Sequence, residues 1–187
     1  MSQNLYKKAE QFVIDSYTKI GKTSQIKHFE RTVYWVKKLK ADADEALLIS
    51  AIAHDIERAY RKEDMLEKKR TISYADPEFF RPHEERGAEI MAEFLEKEGA
   101  EQKLIDRVKM LISKHEEGGN DDQNLLKDAD SISFFENNIP TFLTKHVSEV
   151  GKEKVKEKFD WMFNRITSEK AKQIARPWYE EAIKKLG

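Results

Sequence analysis

Apolar residues recur at helical spacing along nearly the whole chain, and no stretch shows the strict alternation of a half-buried strand. Leu5 to Ile20 reads as a first amphipathic helix that stops at Gly21. Thr23 and Ser24 offer side-chain caps for a second helix, in which Ile26, Phe29, Val33 and Val36 form a stripe. A central helix starts near Asp42–Asp44, is apolar on almost every face from Ala46 to Ala53, and carries His54 and Asp55 near its end. Glu57 to Arg70 is mostly charged, and Pro77 and Pro82 mark a looser connection. Further helices are predicted from about His83 to Lys97, ending at Gly99, and from about Gln102 to Glu116, broken by Gly118-Gly119-Asn120. Asp121 or Asp122 then caps a helix that carries Asp130. Pro140 opens a last group, in which Pro177 kinks or restarts the final helix. The expectation is an all-α helical bundle, one domain over residues 1–187, with no internal repeat and no linker. Its core spans about 25–135, with a helix at 3–20 and helices at 140–187 packed on it.

Composition narrows this picture without redirecting it. Hydrophobic residues are 39% and charged residues 37% of the 187, with seven glycines and four prolines, the balance of a soluble, compact, helix-rich chain. A net charge of −1 supplies no global basic field for extended nucleic acid or an anionic membrane. No apolar run is long enough to span a bilayer. The stretch Met1 to Lys8 has no continuous apolar segment of the signal-peptide kind, so a cytoplasmic protein without a membrane partner is expected. Without cysteine, any metal must be held by nitrogen and oxygen.

The chemistry concentrates at the histidines. His28, His54, His83 and His115, with Asp55 and Asp130, sit in or beside apolar stripes. Leaving one such group buried and unpaired costs on the order of several kcal/mol. Neighbours on a helix point about 100° apart, so His54 and Asp55 can grip one ion from two sides, or Asp55 can bridge two. His115 shares a face with Leu104, Val108 and Leu111, His83 with Gly87 and Met91, and Asp130 follows Leu126 by one turn. One such histidine alone reads as a core residue bonded to a carbonyl; the set together reads as a metal site.

In chain order, His28, His54-Asp55, His83, His115 and Asp130 resemble the HD superfamily of metal-dependent phosphohydrolases, in the variant that holds two metals. The resemblance covers roughly Gln25 to Phe135. It implies a first ion on His28, His54, Asp55 and Asp130, and a second on His83 and His115 with Asp55 bridging. Asp128 is a rival ligand, but the superfamily pattern favours the aspartate that follows alanine, Asp130. The imidazole-rich set suits one or two divalent transition ions (iron, manganese, cobalt, nickel or zinc) better than magnesium. Such ions activate water and neutralise phosphate oxygens, which implies hydrolysis of a phosphoester or phosphoanhydride in a small nucleotide or phosphorylated metabolite. Asp55 is then both ligand and catalytic centre. Arg58, three residues on, falls where many two-metal relatives place a lysine facing the substrate phosphate. Arg31 lies one turn after His28 and faces the same way. Both are candidate phosphate clamps, with ion pairs to Glu57 or Glu30 as the structural alternative.

Departures from the superfamily's branches narrow the expectation. His115 is followed by Glu-Glu-Gly-Gly-Asn, not the Gly-Tyr-Pro of the cyclic-di-GMP phosphodiesterases. Ile56-Glu57-Arg58-Ala59 lacks the Glu-Asp pair of the alarmone hydrolases, and Arg58 replaces the catalytic glutamate of the single-metal deoxynucleotidases. The symmetrical dinucleoside tetraphosphate hydrolases share length and ligand order. Two alternatives stand beside hydrolysis: a di-iron oxygenase of the superfamily, and a non-catalytic module that binds metal or nucleotide. Elsewhere the plainer readings are preferred. Lys114 and Glu116 flank His115 within reach of a cleft rim but read first as a solvated helix end. The basic residues Arg61, Lys62, Lys68, Lys69 and Arg70, interleaved with Glu63, Asp64 and Glu67, read first as a solvated face, with local attraction of an anionic substrate as the alternative. Lys152–Lys158 is a mixed run without a signal; Trp161, Phe163, Trp178 and Tyr179 read as packing aromatics, and His146 has no nameable partner.

Overall fold

A computed structural model describes residues 4–62 and 65–187, so Gln3, Glu63 and Asp64 of the expectations above lie outside the described residues. The elements are α1 (Leu5–Lys19), α2 (Ile26–Leu39), α3 (Glu45–Ala53), α4 (Glu57–Tyr60), α5 (Leu66–Thr71) and α6 (Pro77–Lys97). They continue with α7 (Gln102–Ile112), α8 (Asp121–Asn137), α9 (Ile139–Thr141), α10 (Val147–Val150), α11 (Lys152–Asn164) and α12 (Glu169–Leu186). The fold is all-α, and the described residues contain no strand. No helix among them is long and apolar enough to cross a membrane.

Local chemistry explains most boundaries. α1 stops where Gly21 takes φ +69°, a conformation other residues resist. Asp44 caps α3 by accepting from the Leu47 amide at 2.9 Å. Several expectations are corrected. Thr23 and Ser24 do not cap α2; they form a short 3-10 turn, and α2 has no side-chain cap. The cap of α8 is Asn120, whose side chain and that of Gln123 bond each other's backbone amides in a reciprocal box, in place of Asp121 or Asp122. α6 begins at Pro77, six residues earlier than the sequence suggested, because Pro77 occupies the first turn, where a missing N–H costs nothing, and Pro82 is absorbed without a break. α12 likewise runs through Pro177. The charged stretch after Asp55 contains two short helices, α4 and α5, and Arg70 ties α5 to the Glu149 carbonyl at the end of α10 (3.0 and 2.9 Å).

α3 is the central element, with Ala46, Leu47 and Ile49 through Ala53 all buried among α1, α2 and α7. Its apolar residues join those of α1, α2, α6, α7 and the start of α8 in one core. A second core gathers Ile132, Phe134 and Phe135 of α8 with α11 and α12, and Phe163 stacks on Tyr179 with ring centres 4.3 Å apart. α8 belongs to both cores. Asp130 therefore stands where the two meet.

Candidate metal centre

Two turns and three helices deliver the polar residues of the site. α3 ends at Ala53, one residue before His54, so His54 and Asp55 occupy the turn into α4 instead of the end of the helix itself. α7 ends at Ile112, and His115 and Glu116 occupy a second such turn. His28 comes from the first turn of α2, His83 from the second turn of α6 and Asp130 from the middle of α8. All seven side chains are buried. The four imidazoles form a row, with ring centres 5.3 Å apart for His28–His54, 5.1 Å for His54–His115 and 5.3 Å for His115–His83.

The contacts divide into two groups that share Asp55. In the first, His28 and His54 Nε2 stand 3.1 and 3.3 Å from Asp130 Oδ1, and His54 Nε2 is 3.7 Å from Asp55 Oδ2. In the second, His83 and His115 Nε2 are each 3.7 Å from Asp55 Oδ1, and 3.4 and 3.9 Å from Glu116 Oε1. His28, His54 and Asp55, and separately Asp55, His83, His115 and Glu116, offer ligand atoms all within 4.8 Å of one another. Glu116, read from sequence as part of a solvated helix end, is thus a buried donor of the second group. Its inward direction follows from the end of α7 at Ile112, which takes Lys114, His115 and Glu116 off the helical register.

The residues fit a metal on a test independent of their order in the chain. Among the described residues, the buried side-chain atoms without a hydrogen-bond partner are His54 Nε2, Asp55 Oδ1, His83 Nε2, His115 Nε2 and Glu84 Oε2. Four of the five are the very donors the two groups present. Buried polar atoms are seldom left bare, since each costs about 1–3 kcal/mol. On His54, His115 and His28 the outer ring nitrogen is already committed. His54 Nδ1 lies 3.0 Å from the Ala51 carbonyl and His115 Nδ1 2.8 Å from the Ile112 carbonyl. His28 Nδ1 meets Ser133 Oγ at 2.9 Å, and that hydroxyl donates to the His28 carbonyl, so it accepts from the ring. On these three rings Nδ1 carries a proton toward its oxygen partner and Nε2 faces the interior, where a bound metal would take its lone pair.

Electrostatics keep the carboxylates ionised. Burial raises Asp55, but Arg58, His54 and His115 outweigh it and hold the group well below the usual carboxylate range. Arg165 does the same for Asp130 and Glu116, bonding both, and its Nε donates to Ser131 Oγ at 2.9 Å. Burial lowers His83. It acts on His115 too, but there Asp55, Glu116 and Glu84 prevail and raise the ring to about 9. The difference reflects the larger number of carboxylates that face His115. Glu84, whose Oε1 accepts from the Glu116 amide at 2.7 Å, is raised by burial to about 7.

The two arginine candidates part company. Arg58 Nη1 is 2.9 Å from Asp55 Oδ2 and Nη2 3.7 Å from Glu116 Oε1, while 40% of its side chain stays exposed, so it spans from the ligands to solvent. Arg31 is not brought to the cluster: α2 packs on α8, and Glu136 takes the Arg31 guanidinium in a two-point pair at 2.8 and 2.7 Å over the Tyr34 ring. Asp128 accepts from the Thr167 and Ser168 amides at 2.6 and 2.8 Å and so fixes the start of α12. His146 pairs with Glu149 at 2.9 Å. Sequence reasoning placed Glu116 at the cleft rim only as a lesser reading and missed Arg165 and Lys158; the last is buried on α11 in the run that carried no pattern. The large surface groove, about 870 Å³ between Tyr6, Glu10, Tyr34, Lys37 and Leu48, lies away from these residues.

Comparison with known proteins found no curated protein and no solved structure that matches. A family described as a domain of unknown function, DUF4202, matches residues 10–186. The chain, with its buried histidine and carboxylate cluster, belongs to that family.

Proposed function

We propose that this chain is a metal-dependent phosphohydrolase of the HD type, acting on a phosphoester or phosphoanhydride of a small nucleotide or phosphorylated metabolite. The observation that carries the reading is the set of four bare, buried donor atoms on His54, Asp55, His83 and His115, in two groups joined by Asp55. The chemistry of the donors, imidazole nitrogen and carboxylate oxygen, suits iron, manganese, cobalt, nickel or zinc. Bound ions of this kind supply an activated water and positive charge for phosphoryl oxygens.

The chain's own residues do the rest. His28, His54 and Asp130 hold one group, and His83, His115 and Glu116 the other, with one oxygen of Asp55 facing each. Tyr17 Oη donates to the Asp55 carbonyl at 2.7 Å and fixes the turn on which that carboxylate stands. Phosphoryl transfer asks mainly for position and charge. Arg58 meets this need as a guanidinium between Asp55 and solvent, placed to take an incoming phosphate.

The test is phosphate release from a panel of nucleotides and sugar phosphates by protein loaded with iron, manganese, cobalt or nickel, with Asp55→Ala as control. Metal-dependent release lost in the control is the expected result. Silence across the panel with metal bound would overturn the reading, and substrate-dependent oxygen uptake would then support the superfamily's oxygenase chemistry.

A further inference from the structure

Lys158 is the one charged side chain of the mixed run Lys152–Lys158 that turns fully inward, with 8% of the residue exposed. Its ammonium lies 4.2 Å from the ring centre of Trp161, 5.1 Å from that of Tyr74 and 5.7 Å from that of Phe134. Among the described residues no carboxylate comes within 4 Å of it. The Arg165 guanidinium, which bonds both Glu116 and Asp130, lies 4.7 Å from the centre of the same Trp161 ring, so the Lys158 ammonium stands beside the residue that ties those two carboxylates together. Both carboxylates are engaged elsewhere: Glu116 by Arg165, His83 and Arg58, and Asp130 by Arg165, His28 and His54.

A buried cation is retained where something pairs with it, because desolvation otherwise disfavours the charge. The three rings supply part of that, each cation–π contact being modest. Burial pushes the ammonium down to about 7, in keeping with the rings being its only close partners among the described residues. Arg58 reaches the same carboxylate, Glu116, from the solvent side. The two cations therefore approach the second ligand group from different helices.

We propose that Lys158 is an anion-binding residue of the metal centre, contacting a phosphate oxygen of the substrate opposite Arg58. This deepens the phosphohydrolase reading and rests on it. Lys158 binds the anion and leaves the metal to the histidines and carboxylates, so its loss spares metal and weakens phosphate.

The experiment is calorimetric titration of inorganic phosphate into the zinc-loaded, dialysed full chain at pH 7, for wild type and Lys158→Met, with zinc content measured on both. The expected result is a roughly 10- to 100-fold loss of phosphate affinity, the size of one charge-assisted hydrogen bond, at unchanged zinc content. Equal affinity in the two proteins would overturn the role of Lys158 while leaving the hydrolase reading intact. Lower zinc content in the variant would overturn it also, by making the lysine a support of the metal site. Absence of phosphate binding to wild type would overturn the anion site itself. Should the variant fail to fold, the Lys158 Hε/Cε resonance of the wild-type protein serves instead, since the rings of Trp161 and Tyr74 shift it away from other lysines. Movement of that signal on adding phosphate supports the proposal, and a stationary signal overturns it.

Discussion

His54 and His115 use one device twice: each rests Nδ1 on the carbonyl three residues back and turns a bare Nε2 toward Asp55. Because Asp55 faces both groups, Asp55→Ala should abolish metal uptake altogether, whereas His83→Ala should lower it by about one ion per chain. Elemental analysis of dialysed protein distinguishes these outcomes, and full retention in His83→Ala would remove the second group from the site. Lys158 gives a prediction in pH. Burial is the main cause that pushes it from the ordinary 10.5 down to about 7, with Glu116 offsetting part of the effect. The native chain then binds fewer protons than the unfolded chain between about 7 and 10.5, so stability rises with pH across that window and the penalty is complete below it. Metal-free Lys158→Met should be more stable than wild type at pH 6 by on the order of a few kcal/mol, with the gain shrinking toward pH 10. Denaturant titrations at both pH values check it; a gain that does not change with pH would show that the lysine is not buried as a charge.

At the scale of elements, α8 shows how two aspartates of one helix come to different work. Asp128 and Asp130 are two positions apart, which rotates them about 200° around the axis. One looks to the start of α12 and accepts two amides there; the other looks to His28 and His54. Asp128→Ala should therefore cost about 1–3 kcal/mol of stability, the value of two backbone bonds to a carboxylate, and leave metal content intact. Asp130→Ala should reduce metal content. A loss of metal in the Asp128 variant would restore it as a ligand. The periodicity of α8 alone did not decide which of the two aspartates faces the histidines. The turns after α3 and α7 matter in the same way. Helical periodicity carried His54 and His115 inward, but it sent Glu116 to solvent, because its template assumed a helix through Glu116 where α7 ends at Ile112.

For the molecule as a whole, folding alone gathers the four bare donor atoms that could hold a metal, so metal is expected to stabilise the folded chain. Saturation at 100 times the dissociation constant should add about 2.7 kcal/mol. For a chain of this size that is a rise of roughly 5–10 °C in Tm. Chelator should reverse the rise, and Asp55→Ala should show none; identical melting with and without chelator would count against the site. The sequence by itself determined the all-α class and the set of histidines and aspartates set in apolar stripes, because periodicity and turn residues act locally and need no knowledge of what packs where. Only the tertiary structure decided the fate of charges in mixed runs. Arg165 reaches Glu116 and Asp130 across 49 and 35 residues of chain, Arg31 is drawn to Glu136 across 105, and Lys158 is buried when α11 packs beside α8. A charged residue is solvated or buried according to the partner that a distant segment supplies, and no local pattern records that partner.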